Sequence, residues 1–236
     1  MFQIKQLSYQ YPNSDFTLQM NDLEFEKKEI VAFIGSNGCG KTTFYRTLSG
    51  ILTPKKMDVT YGKKSYNSLL DTPIKVGAHN AFAELQNTLT VEQNLSLVAS
   101  FHGLAPQKKF AYRAAEAVGV EQLMSRYPKE LSAGQQHRVK LARTLIHDPD
   151  LVLLDEPTTA SDLKNIEIIL ELIETLRQQG KLVFISTHHL YELALLKPRL
   201  VGIKKGCIEF DDQWDSSFEV SENLQNKMRG LIDENA

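Results

Sequence analysis

The chain has little cysteine, no long apolar run and almost no net charge. Its two cysteines, Cys39 and Cys207, are too few for a disulfide framework or a cysteine metal site, and they indicate a reducing compartment. Apolar runs such as Ile30–Ile34 are far too short to cross a bilayer. With a net charge of −2, nothing in the composition suggests the basic footprint of a nucleic-acid-binding protein. The N-terminus alternates like a strand and does not resemble a signal peptide, so we expect a cytoplasmic protein.

The composition is that of an ordinary folded domain. The 236 residues are 42% hydrophobic and 24% charged, which suits one large domain. The apolar runs Leu151–Leu154 and Leu182–Ile185 flank an amphipathic segment at 163–178, which is the pattern of a parallel α/β sheet. Other patterns predict strands within 1–34 and 57–78, and helices that start at Thr90, cover 107–126 and run from Ser132 to Leu145.

A glycine-rich loop follows the predicted strand Ile30–Ile34 and precedes a helical segment, Thr42–Leu48. Glycines let the N–H groups of such a loop point inward, and the helix N-terminus adds partial positive charge, so the arrangement can bind nucleotide phosphates. Lys41 would reach the β- and γ-phosphates, and the Thr42 hydroxyl would bind Mg²⁺. A glycine-rich turn without a ligand is the alternative. The predicted ATP-binding residues here are Gly35, Ser36, Asn37, Gly38, Cys39, Gly40, Lys41, Thr42 and Thr43.

Two further motifs follow along the chain. The first, Leu-Ser-Ala-Gly-Gln at 131–135, contains a capping box formed by Ser132 and Gln135, which predicts a helix N-terminus able to bind a second phosphate. In the second, Asp155 and Glu156 end a buried strand, and ligands of open α/β sheets bind at the carboxyl ends of strands. The alternatives are an ordinary capped surface helix and two solvated loop acids.

In this order, the phosphate loop, the Leu-Ser-Ala-Gly-Gln signature and Leu-Leu-Asp-Glu-Pro resemble the ATP-binding cassette (ABC) ATPases, the motor subunits of ABC transporters. Ala133 stands where most members have glycine. The resemblance covers about residues 1–211 as a single ABC ATPase domain and leaves 212–236 as a polar tail. It implies a P-loop NTPase core with a mostly parallel α/β sheet, an N-terminal antiparallel β subdomain and a helical subdomain at about 82–145.

The resemblance also implies roles for individual residues. Asp155 would bind Mg²⁺ with Thr42, and Glu156 would orient or deprotonate the attacking water. His188 would be the switch histidine that contacts the γ-phosphate, with the adjacent His189 as the alternative. Lys41 completes the predicted catalytic set of Glu156, His188 and Lys41.

Two more ATP contacts are implied with alternatives. Tyr11 would stack on adenine, and Tyr9, on the same face of its strand, is the other candidate. The family usually has a glutamine that senses the γ-phosphate before the helical subdomain, and this chain has none at the expected place. Asn80 is the best substitute, with His79 and Gln86 as alternatives.

The partners implied by the resemblance are a second ABC ATPase subunit and a transmembrane permease subunit. ATP would close two cassettes into a dimer, expected to be a homodimer. Within it, residues of each signature would contact the ATP of the other subunit; these are Ser132, Ala133, Gly134 and Gln135. The permease would dock in the groove from Asn80 to Phe101, with Phe82, Leu85 and Phe101 as candidate contacts. Packing in the core is the alternative for each of these three residues and is the one favoured by the sequence.

The expected cofactors are ATP and Mg²⁺, and the expected location is peripheral, on the cytoplasmic face of the membrane. The segment 89–104 looks like that of ABC-2-type exporters, and Leu-Ser-Ala-Gly-Gln-Gln resembles haem-export ATPases, so we expect an exporter. Two alternatives from other classes are a small-molecule kinase with a phosphate loop and a non-hydrolysing regulatory ATP-binding module.

Overall fold

The structure is a computed structural model that describes residues 2–79, 84–159, 162–214, 226, 230 and 231. In chain order its strands are β1 (Phe2–Gln10), β2 (Thr17–Phe25), β3 (Ile30–Ile34), β4 (Lys56–Tyr61), β5 (Lys64–Tyr66), β6 (Val76–His79), β7 (Leu151–Asp155), β8 (Leu182–Ser186), β9 (Arg199–Lys204) and β10 (Cys207–Asp212). The α-helices are α1 (Lys41–Leu48), α2 (Val91–Phe101), α3 (Gln107–Ala117), α4 (Ala133–Leu145), α5 (Leu163–Gln178) and α6 (Leu190–Leu196).

The strands form two sheets. Four of them make an antiparallel sheet in the order β2-β1-β4-β5. The other six have the order β10-β9-β3-β8-β7-β6, and every pairing among the last five is parallel, while β10 is antiparallel to β9 at one edge. The prediction of a mostly parallel α/β core with an N-terminal antiparallel sheet and helical elements is confirmed.

Neighbouring residues of the central strands enter two different hydrophobic clusters. Val31 and Phe33 of β3 pack with the antiparallel sheet and α1. Ile30, Ala32 and Ile34 of the same strand pack on the opposite side, with helices α2 to α5. A strand covered on both faces needs apolar residues at every position, which is why the runs in β3, β7 and β8 were continuous in the sequence.

The helices between β6 and β7 occupy the region predicted to be a helical subdomain. Helix α2 begins at Thr90 with the predicted capping box, in which Thr90 and Gln93 bond each other's backbone N–H groups. The predicted helix over 107–126 is wrong beyond Ala117, because Gly119 takes a left-handed φ of 63° and a short 3₁₀ turn follows at Glu121–Leu123. The boundaries of the domain at 1–211 and of its subdomain at about 82–145 stay predictions.

The carboxyl-terminal part contains elements that the sequence patterns did not indicate. These elements are helix α6 and the hairpin of β9 and β10, whose two strands extend the sheet beyond β3. Trp214, in the predicted tail, packs against the hydrophobic cluster that the sheet forms with helices α2 to α5. Most of the predicted tail at 212–236 lies outside the described residues.

Replacement of Phe184 by alanine tests the packing between the sheets. Phe184 is fully buried, and its ring centroid lies 4.6 Å from that of Phe25 and 5.0 Å from that of Phe33. We expect Phe184→Ala to lower the free energy of unfolding by about 3–5 kcal/mol in urea denaturation, because it leaves a cavity in an aromatic cluster. Leu195→Ala, at a side chain that is 55% exposed, should change it by less than about 0.5 kcal/mol. Similar losses in the two variants would contradict this packing.

Candidate functional site

The predicted phosphate loop connects β3 to α1 in a conformation that only glycine adopts readily. Gly38 and Gly40 have φ angles of 83° and 119°. A Cβ atom at Gly40 would lie 2.8 Å from a methyl carbon of Leu18, so there is also no room for a side chain there. Gly40 is the N-cap of α1 and supplies no side-chain cap, which leaves the N–H groups of the first turn available to a ligand.

Lys41 holds its ammonium group inside this loop. Its Nζ donates hydrogen bonds to the carbonyl oxygens of Gly35 and Ser36 at 2.8 and 3.1 Å and lies 3.8 Å from the Sγ of Cys39. The residue is only 8% exposed. The positive charge of this buried ammonium group and the partial positive charge of the helix N-terminus together attract an anion.

The loop is also fastened to both sheets. Gly206, in the turn between β9 and β10, donates its N–H to the carbonyl oxygen of Cys39 at 2.9 Å and accepts from the N–H of Gln19 at 2.7 Å. Cys39 itself is buried and packs in the cluster between the sheets. The loop therefore has little freedom to collapse.

Asp155 links the phosphate loop to the end of β8. One carboxylate oxygen accepts from the Thr42 hydroxyl at 2.7 Å, and the other accepts from the Ser186 hydroxyl at 2.5 Å. Asp155 and Ser186 are register partners of the parallel strands β7 and β8, so both stand at the same carboxyl edge. A hydroxyl and a carboxylate side by side are the hard oxygen ligands that Mg²⁺ prefers, so these residues fit the ion.

Glu156 is held in an uncommon backbone conformation at the end of β7. Its φ angle is 47°, which is left-handed and costs a residue with a side chain of order 1–3 kcal/mol. Its N–H donates to the Ser186 Oγ at 2.8 Å, and its carboxylate accepts from the Thr159 hydroxyl at 3.1 Å. Such strain persists where the surroundings impose it, and it concentrates at functional sites.

His188 is the histidine that lies beside Glu156. Its Nδ1 atom is 3.8 Å from Oε1 of Glu156, and the two side chains are 55% and 34% exposed. His189 is also exposed, and its ring lies 4.1 Å from that of His188. The contact with Glu156 favours His188 over His189 for the predicted role.

The aromatic candidates Tyr9 and Tyr11 contact each other, with ring centroids 4.9 Å apart in an edge-on arrangement. Tyr9 is 9% exposed and belongs to the cluster between the sheets. Tyr11 is half-buried, and its hydroxyl lies 3.3 Å from Oγ1 of Thr43, next to the phosphate loop. This placement favours Tyr11 as the residue that could reach an adenine.

The candidates for the missing glutamine fall in three different places. Asn80 lies outside the described residues, as does the docking candidate Phe82. His79 ends β6 as a buried residue, and Gln86 is exposed, with its N–H bonded to Asn94 of α2. At 5% exposure the His79 side chain is closed off from a nucleotide bound at the surface, so Asn80 stays the prediction.

The signature residues form the predicted capping box at the start of α4. The Gln135 N–H donates to the Ser132 hydroxyl at 3.2 Å, and the Ser132 N–H donates to the Gln135 side chain at 2.9 Å. Ser132 and Ala133 are exposed, and Gly134 lies so close to Asn165 of α5 that a Cβ atom would clash with it. In the described part of the chain no hydrogen bond joins these residues to the phosphate loop of the same subunit.

Comparison with known proteins decides the family. The family model described as ABC transporter matches residues 18–159, which is more than half of the chain. The chain belongs to the ABC transporter family. This membership supports the prediction of an ATP-binding, ATP-hydrolysing subunit over that of a small-molecule kinase.

Several proteins named as transporter ATP-binding proteins are similar in sequence. The chain is 35% identical over 229 residues to the energy-coupling factor transporter ATP-binding protein EcfA2 of Methanospirillum hungatei, covering 94% of this chain but only 58% of that relative. It is 32% identical to EcfA1 of Latilactobacillus sakei (88% of this chain, 76% of the relative). It is 33% identical to the thiamine import ATP-binding protein ThiQ of Vibrio vulnificus (88% and 89%).

A solved ABC cassette shares the fold. A dimeric ATP-binding cassette in a post-hydrolysis state, bound to ADP and Pi, superposes with a TM-score of 0.77 at 25% identity, covering 92% of this chain and 100% of that one. Among the residues that the structure describes, none of the helices has the length and apolar content needed to cross a bilayer.

The comparisons do not support the expected exporter. The relatives include proteins named for the import of thiamine and of Fe³⁺ ions, and none of those given above is named as a haem exporter. Within the residues 89–104 that suggested export, Thr90 and Val91–Phe101 form the capping box and helix α2.

Several residues of the site carry no signal in the sequence. Ser186 bonds both Asp155 and the N–H of Glu156, yet it reads as one polar residue at the end of an apolar run. His137 of α4 holds the Pro157 carbonyl oxygen at 2.5 Å, and its ring packs edge-on to His79 at 5.0 Å. Only the pairing of β7 with β8, and of α4 with the loop after β7, brings these groups together.

The buried histidines predict how stability depends on pH. Burial, with further contributions from His137, Lys140 and Arg143, lowers the pKa of His79 to about 3. In the unfolded chain this histidine takes up a proton as the pH falls through about 6.5, whereas in the folded protein it does so only near pH 3. Its contribution to the free energy of unfolding is therefore complete above about pH 6.5 and is lost as the pH falls toward 3. The loss should approach about 1.4 kcal/mol per pH unit for this residue.

Urea denaturation between pH 7 and pH 4.5 measures this effect. We expect His79→Leu to reduce the slope of unfolding free energy against pH, and His189→Gln, at an exposed histidine, to leave it as in the wild type. Parallel curves for the wild type and His79→Leu would contradict a neutral, buried His79.

Proposed function

We propose that this chain is the ATP-hydrolysing motor of an ABC transporter that works as a nucleotide-sandwich dimer coupled to a separate permease. The observation that carries the proposal is the continuous hydrogen-bonded path from Thr42 through Asp155 and Ser186 to the N–H of Glu156. This path joins a phosphate loop, a metal-binding carboxylate and a second carboxylate at one edge of the sheet. Phosphoryl transfer needs these three parts in fixed positions.

ATP would bind with its phosphates in the loop from Gly35 to Thr43. Lys41 would exchange its carbonyl partners for β- and γ-phosphate oxygens, and the N–H groups at the start of α1 would bind the remaining oxygens. Tyr11, which lies beside Thr43, would stack on the adenine. A ligand with several negative charges suits this site because the ammonium group of the buried Lys41 bonds backbone carbonyl oxygens and lies beside the Cys39 sulfur, all of them uncharged groups or a thiol.

Mg²⁺ would be bound by the Thr42 hydroxyl and the Asp155 carboxylate. When bound, the ion neutralises charge on the phosphates and aligns them for attack. Ser186 holds the other oxygen of Asp155, so the carboxylate is oriented before a ligand arrives. These side chains therefore hold one position for the metal.

Glu156 would orient the attacking water and accept its proton. Its left-handed backbone and the hydrogen bond from its N–H to Ser186 place the side chain just beyond the carboxyl end of β7, where the carboxylate is partly exposed. His188, whose Nδ1 atom is 3.8 Å from Oε1 of Glu156, would donate a hydrogen bond to the γ-phosphate. It would also keep the Glu156 carboxylate near that phosphate. Catalysis then depends on two side chains that follow the neighbouring strands β7 and β8 and meet beyond their carboxyl ends.

The second half of the site would come from another copy of the chain. Ser132 and Gly134 lie at an exposed helix N-terminus, which binds anions, and they make no hydrogen bond to the loop of their own subunit in the described region. A solved cassette that resembles this chain is dimeric. We infer that two copies pair head to tail, each signature, from Ser132 to Gln135, contacting the ATP held by its partner.

The permease would dock at the groove between β6, α2 and α4, on the cytoplasmic face of the membrane. Phe101 is 80% exposed and Leu97 is 40% exposed on α2, which supports this surface. Leu85 is 5% exposed and packs in the core, so we do not propose it as a docking residue. Because relatives are named for thiamine and Fe³⁺ import, uptake is the direction that we propose.

Replacement of Glu156 by glutamine tests the assigned mechanism. Glutamine keeps the shape of the side chain but cannot accept the proton, so we expect phosphate release from ATP to fall at least a hundredfold while ATP still binds. The variant should accumulate as an ATP-bound dimer on size-exclusion chromatography. Glu171→Gln, at an exposed carboxylate of α5, is the matched control and should hydrolyse ATP at the wild-type rate.

Undiminished hydrolysis in Glu156→Gln would contradict the role of this carboxylate. No hydrolysis by the wild type, with tight ATP binding, would instead support the regulatory module. Transfer of the γ-phosphate to a small-molecule acceptor would support a kinase.

A further inference from the structure

Glu192 is a carboxylate buried directly below the catalytic edge. It lies on α6, shortly after the two exposed histidines, and is 2% exposed. A buried carboxylate costs several kcal/mol unless its oxygens are fully hydrogen-bonded, so its partners identify what it is there to hold. Nothing in the mechanism described above uses this residue.

Its two oxygens are each bound by a threonine hydroxyl from a different loop. Oε1 accepts from Thr158 at 2.5 Å, and Oε2 accepts from Thr187 at 2.6 Å. Both threonines are buried, at 4% and 2% exposure. Hydrogen bonds to a charged acceptor in such surroundings are short and about twice as strong as neutral ones.

The two threonines belong to the segments that present the catalytic pair. Thr158 lies two residues after Glu156, and Thr187 directly precedes His188. Thr187 also accepts the N–H of His189 at 3.1 Å, which fixes the turn that leads into α6. Because the side chains of Glu156 and His188 are themselves partly exposed, their packing does not fix the 3.8 Å between them.

We propose that Glu192 is a positioning residue for ATP hydrolysis: its carboxylate clamps Thr158 to Thr187 and so sets the distance between Glu156 and His188. The proposal rests on the function given above, because it assigns Glu192 to the same reaction. Because Glu192 is 2% exposed and each of its carboxylate oxygens accepts from a threonine hydroxyl, it acts through these threonines and not on the nucleotide itself. Its effect is on the rate of the chemical step and not on ATP binding, which depends on the loop at 35–43.

Shape-conserving changes at Thr158 test the clamp without opening a cavity. Thr158→Val removes the hydroxyl and leaves Glu192 one partner short. We expect kcat to fall about tenfold with the KM for ATP changed less than twofold, because a small displacement of catalytic groups costs rate and leaves ground-state binding intact. Thr158→Ser restores the donor and should return kcat to within about threefold of the wild type.

Thr72→Val is the matched control. Thr72 is also buried, and its hydroxyl donates to the Leu69 carbonyl oxygen at 2.6 Å, away from the site. It should lower the melting temperature as Thr158→Val does but leave kcat unchanged. Glu192→Gln, which keeps the volume and removes the charge, is a second variant in case Thr158→Val does not fold, and it should show the same loss in kcat at constant KM.

Wild-type kcat in both Thr158→Val and Glu192→Gln would overturn the clamp, as would equal loss of kcat in Thr72→Val and Thr158→Val. The proposed function is judged separately by Glu156→Gln. If that variant is inactive while Thr158→Val is fully active, only the role of Glu192 fails.

Discussion

The parallel register of β7 and β8 is the constraint on which the rest of the site depends. It places Asp155 opposite Ser186, so that one hydroxyl can hold the carboxylate and at the same time accept the N–H of Glu156. This bond helps to hold Glu156 in its left-handed backbone conformation. A shift of one residue between these strands would turn every side chain to the other face and remove the site.

The same edge also gathers groups from three further segments, which are the phosphate loop, α4 and α6. The phosphate loop arrives after β3, the neighbour of β8, and its Thr42 meets Asp155. The loop after β7 is held at successive residues, by His137 on the Pro157 carbonyl oxygen and by Glu192 on Thr158. Because the polar groups are bonded to one another before any ligand binds, little reorganisation is left for the moment of reaction. The arrangement therefore favours a site built for one reaction geometry.

Much of this was predictable from local sequence. The apolar runs of β3, β7 and β8, the capping boxes at Thr90 and Ser132, and the phosphate loop each depend on neighbouring residues, whose chemistry is visible in order. The hydrogen bonds of Glu192 with Thr158 and Thr187 join α6 to the segments that follow β7 and β8, and no local pattern in the sequence indicates these contacts. Helix α3 was predicted too long because helix-forming residues continue beyond Gly119, which nevertheless ends it. Direction of transport is not encoded in any of these features.

The division of labour between the two carboxylates is the central claim, and the affinity for Mn²⁺ in the presence of ATP, measured by electron paramagnetic resonance, tests it most directly. Asp155 bonds Thr42 and would bind the metal, whereas Glu156 would act on water. We therefore expect Asp155→Asn to weaken Mn²⁺ binding about tenfold or more, equivalent to about 1.4 kcal/mol or more, and Glu156→Gln to leave it as in the wild type. Equal weakening in the two variants, or an unchanged affinity in Asp155→Asn, would contradict the account.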